Sequence, residues 1–356
     1  MTNPWAQWLR DNPQRIDNFG TKQGWDHFVH AAPREPLPRL TRPELRALDE
    51  EAFEDYNDAR MLWHANPSII KTPQVLHVFD VIDQVMASNG RDSDRVRGSV
   101  VIDAEAGVGK TTAAIQYARQ FHRKTERRHG VLTPEGHQRL PVAFVQLKDV
   151  VTLKALNRAI LNFYGHPAAT RSNTSQLGDL AVDCVLSCRT QMIVLDDLHF
   201  IDFTERNGKQ ISNHLKGLAN QMPVTFVYTG VDMRRRKFFD EGLDGTDIVY
   251  AQTSRRTTRA DLGPFSIRDA EGATDWAKLL TSFEDQLHLA ESHPGMLLSH
   301  AKLIHERTQG YIATLATLIE RACFLAIRDG SERITEDILR DARLDNAADN
   351  AAAAAS

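Results

Sequence analysis

The 356-residue chain carries 43 Lys+Arg against 47 Asp+Glu, a formal net charge of −4, with 42% hydrophobic and 25% charged residues. This globular balance excludes a wholly disordered or collagen-like chain, and a uniformly basic nucleic-acid binder, so any nucleic-acid surface has to be a local patch. Three cysteines build no disulfide scaffold. No apolar run approaches the ~20 residues that span a bilayer, and the first 15 residues lack the apolar core of a signal peptide, so the expected location is cytoplasmic without a membrane partner.

Residues 1–50 are interrupted by Pro13, Pro33, Pro36, Pro38 and Pro43, with Trp5, Trp8, Trp25 and Phe28 as unphased apolar anchors. They read as an N-terminal arm with short helices that packs on a partner or a neighbouring subunit. Residues 51–95 read as a helical segment: one helix from Asp49 to Trp63, then a second opened by Thr72 as N-cap and Pro73 at the first helical position. Residues 96–263 alternate short apolar runs with amphipathic ones. Strands are predicted at Ser99–Asp103, Val142–Val145, Met192–Asp196 and Val224–Thr229, with helices near Lys110–Arg123, Leu153–Tyr164, Leu177–Cys188 and Gln210–Asn220. That alternation predicts an α/β domain, a parallel sheet between two helical layers. Residues 264–343 lose the strands and read as a small all-helical domain. Its clearest helix lines Ile312, Leu315, Ile319, Ala322, Cys323 and Ala326 on one face. Residues 344–356 are an Ala-rich low-complexity tail, read as disordered.

The strongest chemical signal is Ala104-Glu105-Ala106-Gly107-Val108-Gly109-Lys110-Thr111-Thr112, placed between a predicted strand and a predicted helix. In a phosphate-binding loop, Gly107 and Gly109 let backbone N–H groups converge on the phosphates at a helix N-terminus. Lys110 then neutralises β- and γ-oxygens, and the Thr111 hydroxyl holds Mg²⁺. The pattern G-x-x-x-x-G-K-[ST] departs at its first position, where Ala104 stands. A second signal lies 86 residues beyond Lys110: the apolar run Ile193-Val194-Leu195 ends in Asp196-Asp197. Asp196 takes the metal role and Asp197 the water-activating role. Asp197 is one methylene shorter than the glutamate usual at this place, which predicts slow hydrolysis. Two basic clusters stand out, Arg119–Arg128 and Arg234-Arg235-Arg236-Lys237, suited to phosphate or to an acidic neighbouring subunit. Neither carries interleaved aromatics. The 14 histidines form no paired metal motif, and His199 reads as structural.

With these motifs in this order the chain resembles the AAA+ ATPases. Tyr228-Thr229-Gly230 ends the fourth strand where that family places a polar sensor of the γ-phosphate, which points to Thr229. Ser254-Arg255-Arg256-Thr257-Thr258-Arg259, ahead of Leu262-Gly263-Pro264-Phe265, resembles the arginine-finger segment, with Arg255 and Arg256 equally placed for the role. Arg307-Thr308-Gln309-Gly310-Tyr311-Ile312 and the helix after it, together with the 55–74 stretch, resemble the TniB/TnsC transposition ATPases over roughly residues 50–342. Ala313 stands where many AAA+ lids carry a second sensor arginine. Asp196-Asp197 is also similar to the signalling ATPases of the STAND group, which keeps an oligomerising signalling or defence switch open as the alternative.

The transposition resemblance implies an ATP- and Mg²⁺-dependent regulator. It would assemble as a homo-oligomeric ring or filament on double-stranded DNA, link a target-selector protein to a transposase, and disassemble on hydrolysis. DNA contacts in that clade come from the loop after the second strand, which here points to Lys148, Thr152 and Lys154, with Gln146 a weaker candidate. They are expected to meet the backbone without reading sequence.

Overall fold

The computed structural model describes residues 3–92, 97–147, 152–170, 174–201, 206–233 and 256–344. In chain order its elements are α1 (Pro4–Asp11), α2 (Lys22–His30), α3 (Arg42–Arg46), α4 (Glu50–His64), α5 (Pro73–Asn89), β1 (Ser99–Asp103), α6 (Lys110–His129) and β2 (Val142–Gln146). There follow α7 (Leu153–Tyr164), α8 (Thr174–Ser187), β3 (Met192–Asp196), α9 (Arg206–Gln221), β4 (Thr225–Gly230) and β5 (Thr257–Asp261). The chain then closes with α10 (Ala270–Glu284), α11 (Ala301–Thr308), α12 (Ile312–Arg328) and α13 (Glu336–Asp341). Two compact units result: Asp17–Ala31 with Gln74–Leu262 in one, and the described residues before 17, from 32 to 73 and from 263 onward in the other. Residues 1–50, expected as one arm, are therefore shared between both.

In the α/β unit the strands run parallel in the order β2-β3-β4-β1-β5. All of β3 and β4 is buried, and of β1 only Ser99 is not. A strand covered on both faces can be apolar at consecutive positions, which is why Val100-Val101-Ile102 and Ile193-Val194-Leu195 read as continuous runs. β5 escaped the sequence reading because it is an edge strand of Thr-Thr-Arg-Ala-Asp in which only Ala260 is buried. The registers Ile102↔Thr229, Asp103↔Gly230 and Leu195↔Tyr228 bring the carboxyl ends of β1, β3 and β4 level with one another. Ligands of open α/β sheets bind at that edge. α2 also belongs to this unit. Trp25 is fully buried, stacks on Phe144 of β2 with centroids 5.9 Å apart, and donates its indole N–H to His122 of α6 at 3.0 Å.

In the helical unit Phe265, Trp276, Leu280, Leu315, Leu318 and Ile319 share one core, and Trp8, Leu45, Tyr56 and Ala59 a second. Arg60 of α4 is fully buried and meets the Glu332 carboxylate with both terminal nitrogens, at 2.6 and 3.0 Å, while its guanidinium lies over the Tyr56 ring. Gly310 has φ +75°, and a Cβ there would stand 2.0 Å from the Phe265 carbonyl oxygen, so this place in the Arg307–Ile312 motif admits only glycine. Among the described residues no helix is long and apolar enough to cross a membrane.

Candidate nucleotide site

The site is built where β1 stops. Buried Val100, Val101 and Ile102 hold the strand, and Ala104 prolongs its ladder by donating its N–H to the Gly230 carbonyl at 3.2 Å. Ala104 is not among the positive-φ residues, so alanine meets every backbone demand at the position where the phosphate-loop pattern has glycine. The next turns do need glycine: Gly107 sits at φ +83° and Gly109 at φ +90°, the left-handed region that L side chains avoid. Gly109 is the N-cap of α6, so the loop delivers the unpaired N–H groups of a 20-residue helix to one spot. Glu105, Ala106 and Thr112 are exposed, Val108 is buried, and Lys110 is 7% exposed at the start of the helix.

Four sequence-predicted residues meet beside this loop. The Thr111 hydroxyl donates to Asp196 Oδ1 at 3.0 Å, and the Thr229 hydroxyl donates to the same oxygen in a very short contact. Thr229 Oγ1 in turn accepts the Asp197 backbone N–H at 3.3 Å. Asp196 is 1% exposed, and its second oxygen, Oδ2, is buried without a hydrogen-bond partner. Burial, and next to it the Asp197 charge, push the Asp196 carboxyl above its ordinary pKa, against the hydrogen bonds from Thr229 and Thr111 and the charge of Lys110. A buried, unspent carboxylate oxygen beside a threonine hydroxyl suits Mg²⁺, a hard cation that takes oxygen ligands. Its charge would also supply what Asp196 lacks. Asp197 takes φ +62°, which turns the chain out of the strand direction and leaves the carboxylate a quarter exposed, 3.7 Å from His199 Nδ1.

Asp103 was not singled out in the sequence. Its buried carboxylate accepts the Met233 N–H at 3.0 Å and so fixes the turn after β4. The available signal was an acid closing a buried strand.

Other candidates lie elsewhere. The Arg256 carbonyl accepts the Ser99 N–H at 2.8 Å, which puts Arg256 at the amino end of the sheet. The phosphate loop begins five residues further along β1, about 16 Å away at 3.3 Å per residue, beyond an arginine's reach. Arg255, Lys148 and the Arg234–Lys237 cluster lie outside the described residues. Thr152 caps α7, its hydroxyl accepting the Ala155 N–H at 3.2 Å, and Lys154 and Gln146 are exposed. In the other basic cluster Arg119 and Arg123 are already engaged, donating to the carbonyls of Val29 and Ala31 at the end of α2.

Comparison with known proteins assigns the family. The model of the family described as Bacterial TniB protein matches residues 60–240, just over half of the chain. The chain belongs to the TniB family. No curated protein matches this TniB-family chain. Among solved structures, it is similar to the Aeropyrum pernix ORC1 protein in complex with DNA, at 17% identity and a TM-score of 0.59, covering 79% of this chain and 68% of that one. It is similar to the Aeropyrum pernix ORC2 protein in ADPNP-ADP complexes, at 13% identity and TM-score 0.54, covering 78% and 68%. It is also similar to Cdc6p from Pyrobaculum aerophilum, at 12% identity and TM-score 0.57, covering 78% and 69%. At these identities the likeness concerns the fold, which is that of an AAA+ protein: a parallel α/β sheet domain with a helical region after it.

Proposed function

We propose that this TniB-family chain is an ATPase that regulates DNA transposition, assembling on duplex DNA when ATP is bound and leaving it after hydrolysis. The observation that carries the reading is the Thr111–Asp196–Thr229–Asp197 network beside the Gly107–Lys110 loop. The loop N–H groups and Lys110 bind the phosphates, with Glu105, Ala106, Gly107, Val108, Gly109 and Thr112 lining the cradle. Thr111 and Asp196 would hold Mg²⁺, which would supply positive charge against the phosphates. Asp197 orients a water and takes its proton as the water oxygen bonds the γ-phosphorus and the bond to the β,γ-bridging oxygen breaks, releasing ADP and phosphate. Thr229 ties both acids together, so its hydroxyl reports the state of the γ-phosphate to β4.

Arg255 or Arg256 completes a neighbouring subunit's site. The position of Arg256 at the far end of the sheet supports this, since an arginine there has no route to its own nucleotide. Lys148, Thr152 and Lys154 contact the DNA backbone. Thr152 keeps its hydroxyl proton for a phosphate oxygen even while it caps α7. The similar ORC1 protein is in complex with DNA and the similar ORC2 protein is in ADPNP-ADP complexes, which supports DNA and an adenine nucleotide as ligands here. The transposase and target selector follow from the family resemblance. The test is ATP turnover by the purified chain with and without duplex DNA. Stimulation by DNA is expected, and turnover indifferent to DNA overturns the reading.

A further inference from the structure

Where α2 lies on α6, two helices face each other with the same pattern, a carboxylate and a histidine one helical turn apart. α2 presents Asp26 and His30, and α6 presents His122 and Glu126. His30 Nε2 stands 2.8 Å from Glu126 Oε2, and His30 Nδ1 stands 3.5 Å from Asp26 Oδ1. One ligand-type atom from each of Asp26, His30 and Glu126 lies within 4.8 Å of the other two. The cluster borders a cleft of about 550 Å³ lined by Lys22, Gln23, Asp26, His27, His30 and Gln138, which gives an ion a way in.

His122 supplies the independent observation. Its side chain is fully buried, and its Nδ1 accepts the Trp25 indole N–H, a group that can only donate. The imidazole proton is therefore on Nε2. That nitrogen is buried without a hydrogen-bond partner, although it stands 3.1 Å from Glu126 Oε1. His122 cannot itself be a ligand through Nε2 while Trp25 holds its other nitrogen.

We infer that Asp26, His30 and Glu126 bind one divalent cation of the zinc class, with His122 orienting the Glu126 carboxylate and a water filling the side open to the cleft. One imidazole nitrogen and two carboxylate oxygens suit Zn²⁺ or Co²⁺ and disfavour Mg²⁺ and Ca²⁺, which take oxygen. His30 would ligate through Nε2, since its Nδ1 lies 3.0 Å from the Asp26 carbonyl oxygen and donates there. Metal–ligand bonds of about 2.0–2.1 Å in a tetrahedron separate ligand atoms by about 3.3 Å, and the 2.8 Å from Nε2 to Glu126 Oε2 is close to that spacing. A histidine donating to a ligating carboxylate is the usual outer support of such a centre. The ion would staple α2 to the helix that begins at Lys110, and it is separate from the Mg²⁺ place at Thr111 and Asp196.

The test is titration of the tag-free, nucleotide-free full chain with Co²⁺, read by its visible absorption, followed by displacement with Zn²⁺. One equivalent should bind, with affinity falling at least tenfold in His30→Ala and in Glu126→Gln. His27→Ala, a change to an exposed histidine of the same cleft, should leave binding unaltered. His30 is half exposed, so its loss does not threaten the fold, and circular dichroism of each variant verifies this. Absence of a stoichiometric site, or equal binding by His30→Ala and the parent chain, overturns the inference and leaves His30–Glu126 as an ion pair between helices.

Discussion

Replacing Thr229 by valine keeps the volume and shape of a fully buried side chain while deleting one hydroxyl. That hydroxyl serves twice, donating to Asp196 Oδ1 and accepting the Asp197 N–H. With Asp196 1% exposed and its Oδ2 already unpartnered, Thr111 becomes the only hydrogen-bond donor to the carboxylate among the described residues. Losing a hydrogen bond to a charged group costs about 1.5–3 kcal/mol. If Mg²⁺ and the phosphates restore the charge balance in the ground state, the deficit falls on the transition state. At 1.36 kcal/mol per decade it slows hydrolysis about 10- to 150-fold. Single-turnover hydrolysis at saturating ATP measures the chemical step, and nucleotide-induced thermal shift measures binding. Thr229→Val should lose rate and retain the shift. A rate within twofold of the parent would refute a role for Thr229 between the two acids.

Asp197→Asn should bind ATP normally and hydrolyse it at least tenfold more slowly, trapping assemblies on DNA; asparagine tolerates the left-handed backbone, so the fold is spared. Faster disassembly in an off-rate assay would contradict the role given to Asp197. The double change Arg255→Ala, Arg256→Ala should abolish turnover alone yet regain part of it when mixed with Asp197→Asn subunits, because each protein supplies what the other lacks; absence of rescue counts against action between subunits. Glu332→Ala strands the Arg60 guanidinium in the helical unit and should cost about 3–5 kcal/mol, read from urea denaturation. Burial lowers the His64 pKa from 6.5 to about 3, so below pH 6.5 the unfolded chain takes up a proton that the folded one refuses. Stability is full above pH 6.5, falls as the pH drops toward 3, and is roughly 2 kcal/mol lower at pH 5, checked by denaturation across that range.

The elements legible in the sequence were those whose burial leaves a local pattern. β1 and β3 show as unbroken apolar runs, and α7 as an amphipathic stretch between Thr152 and Gly165. β5 was not legible because an edge strand with one buried residue has no pattern to show. α2, one of the short helices expected in the first 50 residues, could not be given bounds because only Trp25 and Val29 of its nine residues are buried, too few to set a period among the prolines. The loop glycines, Thr111 and Asp196 could be paired from their order along the chain, since strand ends converge in a parallel sheet. The engagement of Arg119 and Arg123 by carbonyls about 90 residues away could not. A run of charge looks alike whether it faces phosphate or a helix end. For Ala104 the structure supplies the reason its departure from the phosphate-loop pattern is harmless, a negative φ that the pattern itself does not encode.

The central claim is ATP-gated assembly on DNA, and negative-stain electron microscopy of the purified chain with duplex DNA tests it most directly. A slowly hydrolysed ATP analogue should give rings or filaments on the DNA, whereas ADP, or the Lys110→Ala variant with the analogue, should give none. Equal assembly with ADP and with the analogue, or no assembly with either, would contradict the account.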